Sequence, residues 1–249
     1  MSGVVAIARR ELQGLFLQPL AWVLLALALL LQGLLLSTML VASGGDLTAT
    51  LEFALGGGAV FWVLLAVLAP LLTMRSIAEE ARSGLLEYLL TAPVSDAAVV
   101  VGKAAAATAF FALLWAAVPL YGLASHALGA APDWPRVLVA YGGSVALSAL
   151  FCSVGLFASA LSATPALAAF VAFSIELLLL VVPRLDGWLA RWFPQDAVRA
   201  ALARIDVAYH YQASFLVGVV DSLHLVFFPA WTAAFLFLAV RVVESRRWR

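Results

Sequence analysis

Few side chains in this sequence are of types that do chemistry. Glu79 and Glu80 are adjacent, Arg82 follows, and His126, His210 and His224 lie far downstream. Paired carboxylates and histidines are the groups from which a metal-activated water is assembled, provided they meet around one metal on one side of a membrane. Gly102-Lys103 has the ending of a phosphate-binding loop, and Glu176 is an acid isolated in an apolar run. Spacing removes most of these options. Ala104 follows Lys103 and no glycine stands five residues before Gly102, so the pair cannot cradle phosphates. The histidines have no fixed local spacing and read as interfacial polar residues. Cys152 is the one cysteine, which excludes an intrachain disulfide and a cysteine metal cage. No catalytic, cofactor-binding or metal-binding residue is expected in the chain.

The elements that must position these groups are set by composition. Of 249 residues, 65% are hydrophobic and only 11% charged, with a mean hydropathy of +1.07. A soluble domain of this size could not cover itself with so few charges, so lipid must be the solvent for most of the chain. The formal net charge is zero, which gives no footprint for nucleic acid. A bilayer core needs about 20 apolar residues in a helix, because backbone polar groups cannot be left bare in hydrocarbon. Six stretches approach that length: 20–41, 53–73, 97–125, 137–161, 165–183 and 223–240. The expectation is an all-α, polytopic membrane protein forming a single transmembrane domain over residues 1–249.

With an even number of spans both termini share a side. That side holds Arg9, Arg10, Arg75, Arg82, Lys103, Arg241, Arg246, Arg247 and Arg249, while Arg136, Arg184, Arg191, Arg199 and Arg204 fall opposite. The positive-inside rule then places both termini in the cytoplasm. Residues 1–19 read as an in-plane amphipathic helix: Val4, Val5, Ala8, Leu12, Leu15 and Phe16 can face lipid, with Arg9, Arg10 and Glu11 toward water. The external segment 184–222 repeats apolar residues at helical spacing, Leu185, Trp188, Leu189 and Trp192, then Val198, Leu202, Ile205 and Tyr209. It reads as short helices lying on, or dipping into, the outer surface. Gly155, Ser159 and Ala163, like Ser144, Ser148 and Cys152, recur every four residues and allow close helix contacts, most simply within one subunit. Glu176 falls mid-span, where an ionised carboxylate costs several kcal/mol; it is read as a pathway residue or as an interhelical hydrogen-bonding group.

The one sizeable cytoplasmic loop, 74–96, reads M-R-S-I-A-E-E-A-R-S-G-L-L-E-Y-L-L-T-A-P-V-S-D. Ser76 with Glu79 fits a capping box for a short helix through Arg82. Gly84 permits a bend. Leu85, Leu86, Leu89 and Leu90 form an apolar face on a second short helix, which Pro93 ends. Ser95 and Asp96 can cap the third span.

The string E-E-A-R-S-G-L-L-E-Y-L-L-T-A-P-V-S with a later V-G-K resembles the signature of type 2 ATP-binding-cassette exporter permeases. The match covers Glu79, Glu80, Gly84, Glu87, Leu89, Leu90, Pro93, Val94, Ser95, Gly102 and Lys103; Leu85 departs where threonine is usual. The C-terminus F-L-F-L-A-V-R-V-V-E-S-R-R-W-R resembles the gliding-motility and multicopper-enzyme-maturation branch. The resemblance implies a permease subunit in a bacterial inner membrane that pairs with a second permease, identical or not. It also implies a cytoplasmic ATPase subunit that binds ATP and Mg, and allows an extracytoplasmic accessory protein. Glu79, Glu80, Arg82 and Glu87 would contact or position the ATPase, with Gly84 and Pro93 shaping the elbow. One alternative is an intramembrane metalloprotease of the paired-Glu type, from which the chain departs because Arg82 stands too close to Glu80 and the histidines fall on the opposite side. Another is a membrane scaffold that transports nothing.

Overall fold

The protein is described by a computed structural model over residues 2–84, 95–185, 187, 191–192 and 195–246. Among the described residues all regular structure is helical. The main helices are α1 (Ser2–Leu17), α2 (Pro19–Ala42), α3 (Leu47–Glu52), α4 (Ala59–Thr73), α5 (Ala78–Arg82), α6 (Asp96–Ala127), α7 (Trp134–Leu161), α8 (Pro165–Val181), α9 (Gln195–Ile205), α10 (Val207–His210) and α11 (Ser222–Arg246). Six candidate membrane spans emerge, built on α2, α3–α5, α6, α7, α8 and α11.

Local chemistry fixes several starts. Pro19 and Pro165 sit in the first turns of α2 and α8, where a missing N–H costs nothing. Ser95 caps α6 by accepting from Ala98 N, and Asp133 does the same for α7 from Arg136 N. Helix α7 is the central post, in contact with α4, α6, α8 and α11. Its small buried residues, Ser144, Ser148, Cys152, Gly155 and Ser159, face neighbouring helices of the same chain. Trp115 Nε1 donates to Ser148 Oγ at 2.9 Å, and Phe61 packs on the Trp115 ring at 4.5 Å between centroids.

One expectation needs correction and two are sharpened. The second span begins at Leu47, not residue 53, and is interrupted: a π-turn at Phe53–Gly57 links α3 to α4, with Gly56 at φ 135°. A window of apolar residues cannot register that break, because the turn is itself apolar. Second, α1 is not simply laid on lipid. It packs along the start of α6, where a Cβ on Gly102 would meet Ile7 Cγ2 at 2.8 Å, and Glu11 turns inward. Third, the external segment does more than coat the surface. After α9 and α10 the chain enters a second π-turn, Tyr211–Phe215, and Tyr211 is fully buried.

Candidate functional site

The charged elbow follows the second span. Thr73 ends α4, a turn over residues 74–77 follows, and α5 carries Glu79, Glu80 and Arg82 on its five residues. So short a helix cannot hold itself in place; it is tied down from outside. Ser159 Oγ on α7 accepts from Ile77 N at 3.1 Å and Ala78 N at 3.0 Å, and donates to Met74 O at 3.0 Å. The expected Ser76–Glu79 capping box does not form, since no side chain of α5's own segment caps it. The donors that it would have satisfied bond to backbone instead, Ser76 N to Thr73 O at 3.0 Å and Glu79 N to Arg75 O at 3.3 Å, and the N–H groups between them go to a residue more than 80 positions away, a pairing invisible to local spacing.

A second tie is ionic. Lys103, the second residue of the G-K pair, has a side chain only 1% exposed, and its Nζ donates to Glu80 Oε1 at 2.7 Å and Glu11 Oε1 at 3.1 Å. Arg10 pairs with Glu11 at 2.7 Å and lies 3.7 Å from Glu80. A lysine buried in this way is tolerated only when paired. Gly102 explains the other half of the G-K pair: without a Cβ it lets α1 approach closely enough for Glu11 to reach Lys103. Burial pushes the Glu11 carboxyl toward a higher pKa, but the charge of Lys103 and hydrogen bonds from Arg10 and Lys103 outweigh it, and the net shift is downward.

The remaining elbow residues divide cleanly. Glu79 is exposed and only loosely paired, with Arg75 Nε at 3.6 Å. Arg82 is exposed. Gly84 takes the left-handed conformation, φ +75°, that the expected bend requires. Glu87 and Pro93 fall outside the described residues. Thus the two adjacent acids point to different places, Glu80 into a three-helix ion cluster and Glu79 outward.

Residues 5–243 match the family described as ABC-2 family transporter protein. The chain belongs to this family. No curated protein matches it. Membership makes the chain a membrane-spanning permease of an ATP-binding-cassette transporter, a component that works with an ATPase subunit.

Two other groups in this ABC-2 permease stand apart from the elbow. Glu176 is fully buried on the face of α8 that also carries Ala168 and Ala172, and neither carboxylate oxygen has a hydrogen-bond partner among the described residues. At the far end His210 Nδ1 and His224 Nδ1 lie 2.7 Å apart, with Phe227 stacked on His210 at 4.0 Å. Burial, and then the charge of His224, push His210 below the usual histidine pKa. His126 is elsewhere, facing Trp134 and Ala130 O. The paired-Glu protease arrangement cannot form. Ile77, beside the glutamates, clusters with Ala239 of α11, roughly 20 Å along that helix from His224.

Proposed function

We propose that this permease couples ATP hydrolysis in a separate cytoplasmic ATPase to export, with α5 as the coupling element. The supporting observation is that α5 is bonded to α7 through Ser159 and to α1 and α6 through Glu80 and Lys103. A push on α5 therefore reaches three helices at once. The ATPase would dock on the outward face, where Glu79 and Arg82 are exposed and, with Ser83 and Pro165, line a shallow cavity of about 270 Å3. Glu80 acts as a positioning residue, holding the elbow against the bundle. Glu87 and Pro93 extend the same docking segment. ATP and Mg are bound by the partner. Two permease subunits pair around the pathway with both termini in the cytoplasm of a bacterial inner membrane. Glu176 lines the pathway, where helix movement would give its carboxyl a partner.

The test is co-purification in mild detergent. Wild type brings down an ATPase with a Walker motif, and Glu79→Lys with Arg82→Glu loses it while the permease stays folded. Retention of the ATPase by that double reversal would sink the docking assignment, and absence of any ATPase from the wild-type preparation would sink the exporter reading.

A further inference from the structure

A cavity lies beside the elbow. It measures about 350 Å3, and is lined by Arg10 and Glu11 of α1, Leu15 and Leu20 around the α1–α2 bend, Leu71 and Leu72 of α4, and Arg75, Glu79 and Glu80. Its wall combines charged and aliphatic residues, with Gln18 and Ser76 as further polar lining. The charged residues come from α1 and the elbow, and the leucines from the end of α1, the start of α2 and the end of α4. Trp22, two residues beyond Leu20 and exposed, donates Nε1 to Phe16 O at 2.7 Å. An exposed tryptophan with its indole N–H near a helix start marks the membrane–water boundary. The cavity thus opens at headgroup depth with its leucines toward the acyl chains.

The charges specify the headgroup. Around the cavity stand Arg10, Arg75 and the Lys103 amine behind it, against Glu11, Glu79 and Glu80. Three positive and three negative charges cancel, so a ligand with a net charge would leave one uncompensated in a half-enclosed site. Lys103 and Arg10 are committed to Glu11 and Glu80. Arg75 and Glu79 are not: their contact is 3.6 Å, both side chains are more than half exposed, and such a pair is worth little. A ligand that inserts between them offers each a better partner.

We infer that this cavity binds one phospholipid whose headgroup carries both a phosphate and a primary ammonium. The phosphate takes Arg75, with Arg10 beside it, the ammonium takes Glu79, and the glycerol and upper acyl chains cover Leu15, Leu20, Leu71 and Leu72. Arginine favours phosphate through paired N–H donors, and a primary ammonium supplies N–H donors that a quaternary one lacks. Because Glu79 also borders the outward face of α5, the bound lipid becomes part of the elbow's surface. The inference does not rest on an ATPase partner.

Native mass spectrometry of the full chain, delipidated by detergent exchange and titrated with single synthetic lipids, tests it. Phosphatidylethanolamine should form a one-to-one adduct at several-fold lower concentration than phosphatidylcholine or phosphatidylglycerol, and free phosphoethanolamine should form none. Arg75→Gln should weaken phosphatidylethanolamine binding about tenfold, the loss expected for one charge-assisted hydrogen bond. Glu79→Gln, at an exposed position that should not disturb folding, should erase the preference for ethanolamine over choline while leaving choline binding unchanged. Preference for phosphatidylglycerol, equal binding of the free headgroup, or indifference to both substitutions would each overturn the assignment.

Discussion

The two ends of the bundle are held by opposite chemistries. At the elbow end, charged groups from α1, α5 and α6 converge on one buried lysine, and the outermost acid and base remain free to change partners. At the far end the ties are mostly neutral. Tyr211 OH donates to Leu55 O and to Ala140 O, the latter at 3.1 Å, and the Gly56 carbonyl accepts from Trp62 Nε1 at 2.9 Å and Gln212 Nε2 at 3.3 Å. Around these bonds Phe61, Trp62 and Phe215 pack on Tyr211. Ionic contacts are long-ranged and forgiving of displacement, whereas hydrogen bonds to a kinked backbone inside an aromatic shell are satisfied in one geometry only. One end is fitted to respond and the other to hold.

Removing the lysine breaks this contrast most severely. Lys103→Ala leaves Glu80 and Glu11 facing each other with only Arg10 between them, and should cost about 3–5 kcal/mol. Thermal unfolding in detergent should show the loss, and adding Glu80→Gln should recover part of it. A variant as stable as wild type would mean that the cluster is solvated rather than buried. Ser159→Ala comes next. It strips two buried N–H groups of their acceptor, at about 1–3 kcal/mol, and should leave ATPase binding intact while ATP turnover no longer drives transport in proteoliposomes. Tyr211→Phe should cost a similar amount by removing the hydroxyl that bonds the Leu55 and Ala140 carbonyls inside the core. The two ends then separate: this change should increase the mobility of a spin label at Ala213 and leave one at Gln13 unaffected.

Acidity gives the smallest and most discriminating effect. His210 is depressed, so its stabilising neutral form is complete above the unfolded histidine value of about 6.5 and is lost progressively as pH falls below it. Glu11 is also depressed, but as an acid its contribution is complete above about 4.3 and lost only as pH falls through its lowered folded value. Between pH 6 and 5 the Ala213 label should loosen while the Gln13 label stays fixed. Simultaneous loosening would show that the ends are not independent.

Hydropathy reveals the six spans because lipid leaves a chain no other way to satisfy its backbone, and the loop motif is carried by consecutive residues. The wiring of the elbow is not legible in the same way. Glu80 and Lys103 are 23 positions apart, Lys103 and Glu11 are 92 apart, and nothing in spacing says that they meet. A cluster of charges in a loop reads as solvent-facing, so Glu79 and Glu80 look equivalent although one faces outward and the other turns, half-buried, to Lys103. Ser159 is hidden in a stripe of small residues whose obvious use is close packing. The broken second span did leave a trace, three consecutive glycines at Gly56–Gly58 inside an apolar run, but the tyrosine that fills the break comes from 156 residues downstream.

That break limits the movements open to the second span. At Gly56 φ is 135° and a Cβ would collide with the Tyr211 ring, so only glycine fits the close approach of that ring to the backbone. A thrust entering α4 from α5 cannot slide the helix along its axis without tearing Leu55 and Gly56 from the donors that hold them. It can tilt the helix about them. If α5 couples as proposed, the kink would serve as a fulcrum with α4 as its lever arm, and a small displacement at the elbow would become an angular one across the membrane.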